Sequence, residues 1–118
     1  DRAALVVETA RRFAAMTPEL LKLPYPGDAE ACRAVTEICG AAAAPSDGEL
    51  PWAMLSGGGS FDDFAEQFAI ASKAGCSGFM VGRALWGEAV RAAGNERTRL
   101  LREQVRPRFE RLVELHAS

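Results

Sequence analysis

The chain has 118 residues, of which 48% are hydrophobic and 25% are charged, and its formal net charge is −2. This is the composition of an ordinary globular protein, so we expect one domain over residues 1–118. The charge balance excludes the basic face that binding to nucleic acid requires. No apolar run is long enough to cross a bilayer and no signal peptide opens the chain, so we expect a cytoplasmic protein without membrane contact.

The first part of the chain predicts a helix, a strand and a second helix. The Ala- and Leu-rich segment 2–16 is typical of a helix, which Pro18 ends. The apolar run at 19–24 is long enough for one buried strand. Asp28 is a suitable N-cap for the next helix. Because the chain opens on Asp1 with a helix already under way, we expect a cleaved or shortened chain.

Two further strand–helix units follow a loose connection at 41–49. Residues 50–55 predict the second strand and residues 76–81 the third. Between them, Ser60 begins a helix through an S-x-x-D pattern, and Gly75 ends it. The apolar side of that helix carries Phe61, Phe64, Phe68 and Ala71.

The C-terminal part is predicted to be helical. One helix covers residues 84–92 and is closed by Gly94. Asn95 is expected to cap a last helix that runs to about His116, and Pro107 should kink that helix or split it. The predicted apolar face of the last helix is formed by Val105, Phe109, Leu112 and Val113.

This order of elements predicts the α/β class. Strands that alternate with helices form βαβ units, in which the strands are parallel and the crossovers are right-handed. Three parallel strands cannot close a barrel, and an open sheet of this size leaves both edges bare. We therefore expect either a sheet completed by another chain or the C-terminal strand–helix units of a (β/α)8 TIM barrel.

Lys22 is the first candidate for chemistry. Strand alternation places Leu21 and Leu23 on one face and Lys22 on the other, so Lys22 points into the barrel if the leucines pack under the helices. A lysine that loses its hydration there favours the neutral amine, which can attack a ketone to form an imine. The alternative is an edge-strand lysine that reaches water.

Two strand ends carry a candidate anion site. The turn Ser56-Gly57-Gly58-Gly59 joins a strand to a helix N-terminus, where backbone N–H groups can approach a phosphate, although a tight turn without a ligand is equally consistent. One strand later, Arg83 begins a helix. An arginine at that position opposes the helix dipole, which indicates an anionic partner. Loops after the last two strands of (β/α)8 barrels often form the phosphate site.

Other residues give weaker signals. Cys32 and Cys39 are seven positions apart on one predicted helix, about 10 Å along its axis, which is too far for a disulfide. We expect these two and Cys76 to be buried as small hydrophobic residues. His116 is the only histidine, so the sequence predicts neither a metal site nor a serine–histidine triad.

Three segments together resemble a known family. LLKLPYPGD, PWAMLSGGGSFDDFAEQFAIASKAG and CSGFMVGRALWGEAV are similar to the last three strand–helix units of the tagatose 1,6-bisphosphate aldolase family, which includes sulfofructosephosphate aldolases. The resemblance covers most of residues 17–92. The segment LKLPYP departs from the lysine-valine-glutamate sequence that is more usual in the family.

The resemblance implies a class I aldolase without metal or other cofactor. Such an enzyme cleaves a ketose phosphate to dihydroxyacetone phosphate and an aldehyde through an imine. Lys22 falls on the Schiff-base lysine. Leu55, Ser56 and Gly57 fall on the phosphate-binding turn, and Arg83 falls on the phosphate-binding arginine. The family's acid/base glutamate lies on an earlier strand that this chain lacks, so we expect the 118 residues alone to be inactive.

Two alternatives remain open at this stage. Another phosphate-binding barrel enzyme, an isomerase or synthase, would use Ser56 and Arg83 but form no imine on Lys22. A non-catalytic fragment would be stable only by pairing its open sheet with a second copy. The expected partners are a phosphorylated sugar and either a homo-oligomer or the missing part of the barrel. The sequence names neither the sugar nor the oligomeric state.

Overall fold

The fold consists of three strands and six α-helices within the described part of the chain. The computed structural model describes residues 1–42 and 48–118, so most of the connection predicted at 41–49 lies outside the described residues. The elements are α1 (Arg2–Ala14), β1 (Leu21–Pro24), α2 (Ala29–Ala41), β2 (Trp52–Leu55), α3 (Phe61–Lys73), β3 (Gly78–Met80), α4 (Arg83–Arg91), α5 (Gly94–Leu100), a π-helical segment (Leu101–Val105) and α6 (Arg106–Ala117).

The three strands form one parallel sheet in the order β1-β2-β3. Strands that follow each other in the sequence are also neighbours in the sheet. Right-handed crossovers between such strands place the connecting helices α2 and α3 on the same face of the sheet. A doubly wound sheet has its helices on both faces because its strand order reverses. The structure therefore confirms the predicted α/β class, with consecutive parallel strands arranged as in part of a (β/α)8 barrel.

The core lies between the sheet and the helices. The strand residues that point toward the helices are buried, among them Leu23, Trp52 and Met54. On the helix side, the ring of fully buried Phe68 lies 5.2 Å from the ring of Phe79 in an edge-to-face arrangement. The predicted apolar side of α3 is confirmed, since its four members Phe61, Phe64, Phe68 and Ala71 are all buried.

The opposite face and both edges of the sheet lack such cover. Lys22 and Met80 are exposed on this face, with 39% of Met80 accessible. Within the described residues, β1 and β3 each pair with β2 alone. The expectation of bare edges is thus confirmed for residues 1–42 and 48–118.

The apolar residues of α1 divide between the core and the surface. Val6, Ala10 and Ala14 are buried against the rest of the protein. Leu5 and Phe13, which also have helical spacing, are 67% and 52% exposed. Because a helix buries only the stripe that meets its neighbours, an apolar spacing alone does not identify that stripe.

The C-terminal helices differ from the prediction at Gly94 and Asn95. Helix α4 ends at Arg91, and Gly94 opens α5 instead of closing α4. The cap assigned to Asn95 is wrong, because Ala93 occupies the N-cap and Asn95 lies inside α5. None of the described helices is long and apolar enough to cross a membrane.

The predicted break at Pro107 is confirmed as a π-helical segment. Proline has no N–H to donate and its ring clashes with the carbonyl four residues earlier. The backbone N–H of Arg106 instead donates to the carbonyl of Leu101, five residues earlier. The predicted apolar face of α6 is only partly correct: Leu112 is buried, whereas Phe109 and Val113 are 48% and 47% exposed.

All three cysteines are buried and free, as the sequence predicts. Burial disfavours the thiolate and raises the pKa of Cys32 and of Cys39 to about 11. We therefore expect the thiols of the folded protein to remain unreacted with a disulfide reagent at pH 8. The thiols of urea-unfolded protein should react completely in the same time. A rapidly reacting thiol in the native protein would contradict this prediction.

Candidate functional site

Ser56 stabilises the turn between β2 and α3 through a hydrogen bond within the turn. The Ser56 hydroxyl accepts a hydrogen bond from the N–H of Gly58 at 3.4 Å, and Gly58 has a φ of +98°. The Ser56 N–H donates to the carbonyl of Met80, which ties the turn to β3. Within the described residues, the N–H groups of Gly57 and Gly59 have no acceptor. The turn therefore offers free backbone donors at the carboxyl end of the sheet.

Helix α3 begins directly after this turn. The Ser60 hydroxyl accepts from the N–H of Asp63 at 3.1 Å, which confirms the predicted N-cap. No acceptor is found among the described residues for the N–H groups of Phe61 and Asp62, which add to the donors of the turn. The carboxylates of Asp62 and Asp63 lie in the same first turn and partly offset its positive potential.

Arg83 reaches the same turn from the next strand end. It is the first residue of α4, whose N-cap Gly82 supplies no side-chain hydrogen bond. A Cβ atom placed on Gly58 would lie 3.6 Å from Nη2 of Arg83. The guanidinium group therefore packs over the glycine turn, so the two predicted anion-binding elements meet in space.

The turn separates two cavities of about 430 Å³ and about 380 Å³. Leu55, Ser56 and Gly57 line the first cavity, and Arg83 lines the second. Gly59 lines both cavities. The predicted phosphate-binding residues thus lie on two sides of one turn. A single anion can contact all of them only at the rim where the two cavities meet.

Lys22 lies apart from both cavities. Its side chain is exposed on the open face of the sheet, in register with Ala53 of β2. Leu21 and Leu23 point to the core, as strand alternation predicts. Pro24, two residues further along β1, lines the first cavity. The loss of hydration expected for Lys22 is therefore not provided by the described residues.

Several cavity residues were not identified from the sequence. Arg2 and Tyr25 line the first cavity, and burial raises the pKa of the Tyr25 phenol. Arg91 and Arg108 line the second. Arg2 and Arg108 belong to helices far along the chain from the glycine turn, so no local pattern links them to it. Among the described residues, no group of three or more metal-ligating side chains is present.

Comparison with known proteins supports the fold. No model of a protein family matches the sequence. The structure is similar to the crystal structure of an archaeal fructose 1,6-bisphosphate aldolase, with a TM-score of 0.69 and 21% sequence identity. The match covers 98% of this chain but only 38% of that chain. The similarity establishes for this protein a three-stranded α/β fold of the kind found in part of an aldolase.

Proposed function

We propose that this chain forms the C-terminal part of a class I aldolase that cleaves a ketose phosphate through an imine on Lys22. The observation that carries the proposal is the contact of Arg83 with the glycine turn at Gly58, one strand away from a lysine on the open face of the sheet. Similarity to an aldolase over 98% of the chain supports it. The substrate class follows from the resemblance to the tagatose 1,6-bisphosphate aldolase family.

The spacing between Lys22 and the turn fits a ketose 1-phosphate. Lys22 is in register with Ala53, three residues before Ser56 on the neighbouring strand. With a rise of about 3.3 Å per residue and about 4.8 Å between strands, the Cα atoms of Lys22 and Ser56 are about 11 Å apart. At standard bond lengths an extended lysine side chain spans about 6 Å, and an imine carbon lies about 4 Å from a phosphorus three bonds away. Together these lengths span the separation when the lysine side chain leans along the strand toward the turn.

The chemistry requires a neutral Lys22. Its amine adds to the ketone carbon, and loss of water gives the imine, which is protonated to an iminium ion. The iminium ion accepts the electron pair of the C–C bond as that bond breaks, and an acid/base group outside residues 1–118 takes the hydroxyl proton of the departing aldehyde. Protonation of the resulting enamine and hydrolysis of the imine release the second product and regenerate the lysine.

The remaining strands of the barrel must complete the site. Lys22 is exposed here, and the resemblance implies that the acid/base glutamate lies on an earlier strand outside residues 1–118. We propose that residues 1–118 form one unit whose bare sheet edges pair with further strand–helix units. These units would cover Lys22 and supply the acid/base residue, so the isolated chain is expected to be inactive.

A second candidate is an isomerase or synthase that shares only the anion site. The exposure of Lys22, and its position outside both cavities, favours this alternative. In such an enzyme Ser56 and Arg83 would hold the phosphate, while Lys22 would remain a surface residue of the strand.

Imine trapping distinguishes the two candidates. The intact protein, which means residues 1–118 together with the further strand–helix units of the proposed barrel, is incubated with dihydroxyacetone phosphate and reduced with borohydride. The adduct is then located by peptide mapping. We expect an adduct on Lys22 that is lost in Lys22→Met and retained in Lys73→Met, a matched control because the chain has only these two lysines. Folded protein that binds the phosphate but gives no adduct on Lys22 would exclude the class I mechanism.

A further inference from the structure

The side chain of Arg108 contacts three parts of the second cavity's wall. Its Nη1 atom donates to the backbone carbonyls of Ala84 and Leu85, each at 3.2 Å, and to the carboxylate of Glu88 at 3.1 Å. Its guanidinium carbon lies 5.3 Å above the centre of the Phe61 ring. Only 22% of this side chain is accessible, although arginines are usually well exposed.

These contacts join the first turns of two helices. Ala84 and Leu85 directly follow Arg83 at the start of α4, and Phe61 is the first residue of α3. Both helices begin at the second cavity, which Arg108 itself lines. One side chain from α6 therefore fixes the relative position of the glycine turn's helix and of Arg83.

The break in the C-terminal helix determines which arginine points inward. The π-helical segment Leu101–Val105 ends directly before α6. Each residue added to a helical turn rotates the following helix by about 100°, so the segment changes the face that α6 presents to α4. Arg106, two residues before Arg108, pairs instead with Glu110 on the surface, where 76% of the Arg106 side chain is accessible.

We propose that Arg108 is a positioning residue of the anion site at the rim between the two cavities. Arg108 fixes the distance between the first turns of α3 and α4. At this distance Arg83 and the free N–H groups beside Gly58 can bind one anionic group together. The inference rests on the proposed function, because it assumes that a phosphate binds at this turn. Displacement of either helix start by a fraction of an ångström would weaken a set of hydrogen bonds that must form together.

A lysine cannot reproduce these contacts. The planar guanidinium group places Nη1 against two carbonyls and one oxygen of Glu88, places Nη2 3.5 Å from the other oxygen of Glu88, and lies over the Phe61 ring. A lysine ammonium keeps the charge but is a single point of donation. Arg108→Lys therefore separates the geometric role of Arg108 from its contribution to the positive charge of the cavity.

Glu88 provides a spectroscopic signal of the same contact. The hydrogen bond from Arg108, followed by a hydrogen bond from the backbone of Glu88 and a smaller attraction to Arg91, holds the pKa of the Glu88 carboxyl below its ordinary value. The folded carboxylate is thus stabilised above its unfolded pKa, and this stabilisation is lost as the pH falls through the folded value. In Arg108→Lys we expect the pKa of Glu88, measured by carboxyl NMR, to rise toward its ordinary value.

Binding of inorganic phosphate tests the inference. The intact protein is titrated with phosphate by calorimetry at constant ionic strength and well below its unfolding temperature. We expect Arg108→Lys to weaken the affinity about tenfold, or about 1.4 kcal/mol. Arg106→Lys, the matched control on the same helix, should bind phosphate as the unchanged protein does. A purely structural role would lower stability and leave the affinity of the folded protein unchanged.

A third variant distinguishes failure of this inference from failure of the proposed function. Loss of phosphate binding in Arg83→Gln, with unchanged affinity in Arg108→Lys, would leave the anion site in place and overturn the role of Arg108. Absence of phosphate binding by the unchanged protein, or full binding by Arg83→Gln, would overturn both.

Discussion

Replacement of Lys22 by methionine is expected to lower kcat for cleavage of a ketose phosphate by about 10³-fold or more. A factor of 10³ corresponds to about 4 kcal/mol in activation free energy. Methionine has a similar length and no nucleophile, so the imine cannot form and the electron pair of the breaking C–C bond has no acceptor. Because Lys22 lines neither cavity, phosphate affinity should change little.

Steady-state kinetics of the intact protein measure this effect. Lys73→Met is the control, since Lys73 is exposed in the last turn of α3. We expect this control to keep the kcat of the unchanged protein. If Lys22→Met retained more than a tenth of kcat, the reaction would not depend on an imine at this residue.

Replacement of Gly75 by alanine is expected to lower the free energy of unfolding by about 3 kcal/mol. Gly75 has a φ of +102°, a conformation that disfavours any residue with a Cβ by about 1–2 kcal/mol. The added Cβ would also lie 2.5 Å from Cγ2 and 2.8 Å from Oγ1 of Thr36. Overpacking of this kind costs about 1–3 kcal/mol.

The contact matters because Thr36 is held in place on several sides. Its hydroxyl accepts from Nε1 of the buried Trp52 at 3.0 Å and lies 2.6 Å from the carbonyl of Ala74, to which it donates. Gly75 completes the end of α3, where its N–H donates to Ser72 and that of Cys76 to Ala71. Movement of Thr36 away from an added Cβ would disturb both the indole and the end of the helix.

Urea unfolding of the variants measures this effect. Gly40→Ala is the matched control, since Gly40 lies in α2 with open space around it, and alanine there should stabilise by about 0.5–1 kcal/mol. Thr36→Ser removes the nearest methyl group and should recover part of the loss when combined with Gly75→Ala. Equal stability of Gly75→Ala and the unchanged protein would contradict the packing described here.

Exposed apolar residues flank the sheet on both sides and fit the proposed barrel. Phe13 is exposed on α1, the helix that contacts β1, and Phe109 on α6 packs against Phe79 of β3 at a ring distance of 5.7 Å. Leu5 and Val113 extend these two exposed stripes. Further strand–helix units on either side would bury them, which agrees with the match to 38% of a longer aldolase chain.

The sequence by itself determined the order of elements, several of their ends and the face of Lys22. These features depend on local physical chemistry, which a short window of sequence contains. Asp28 and Ser60 accept from the N–H groups at the starts of α2 and α3, and Gly75 adopts the positive φ that ends α3. Strand alternation placed Leu21 and Leu23 in the core and left Lys22 on the other face.

The tertiary structure alone decided which helix sides are buried and how the site is arranged. Helix α1 buries Val6 instead of Leu5, because the position of its neighbours selects the stripe. The glycine turn separates two cavities, with Gly57 lining one and Arg83 the other, an arrangement that no spacing in the sequence reveals. Arg108 reaches Ala84 across 24 residues, and contacts at such separations depend on the packing of whole helices, which local patterns do not encode.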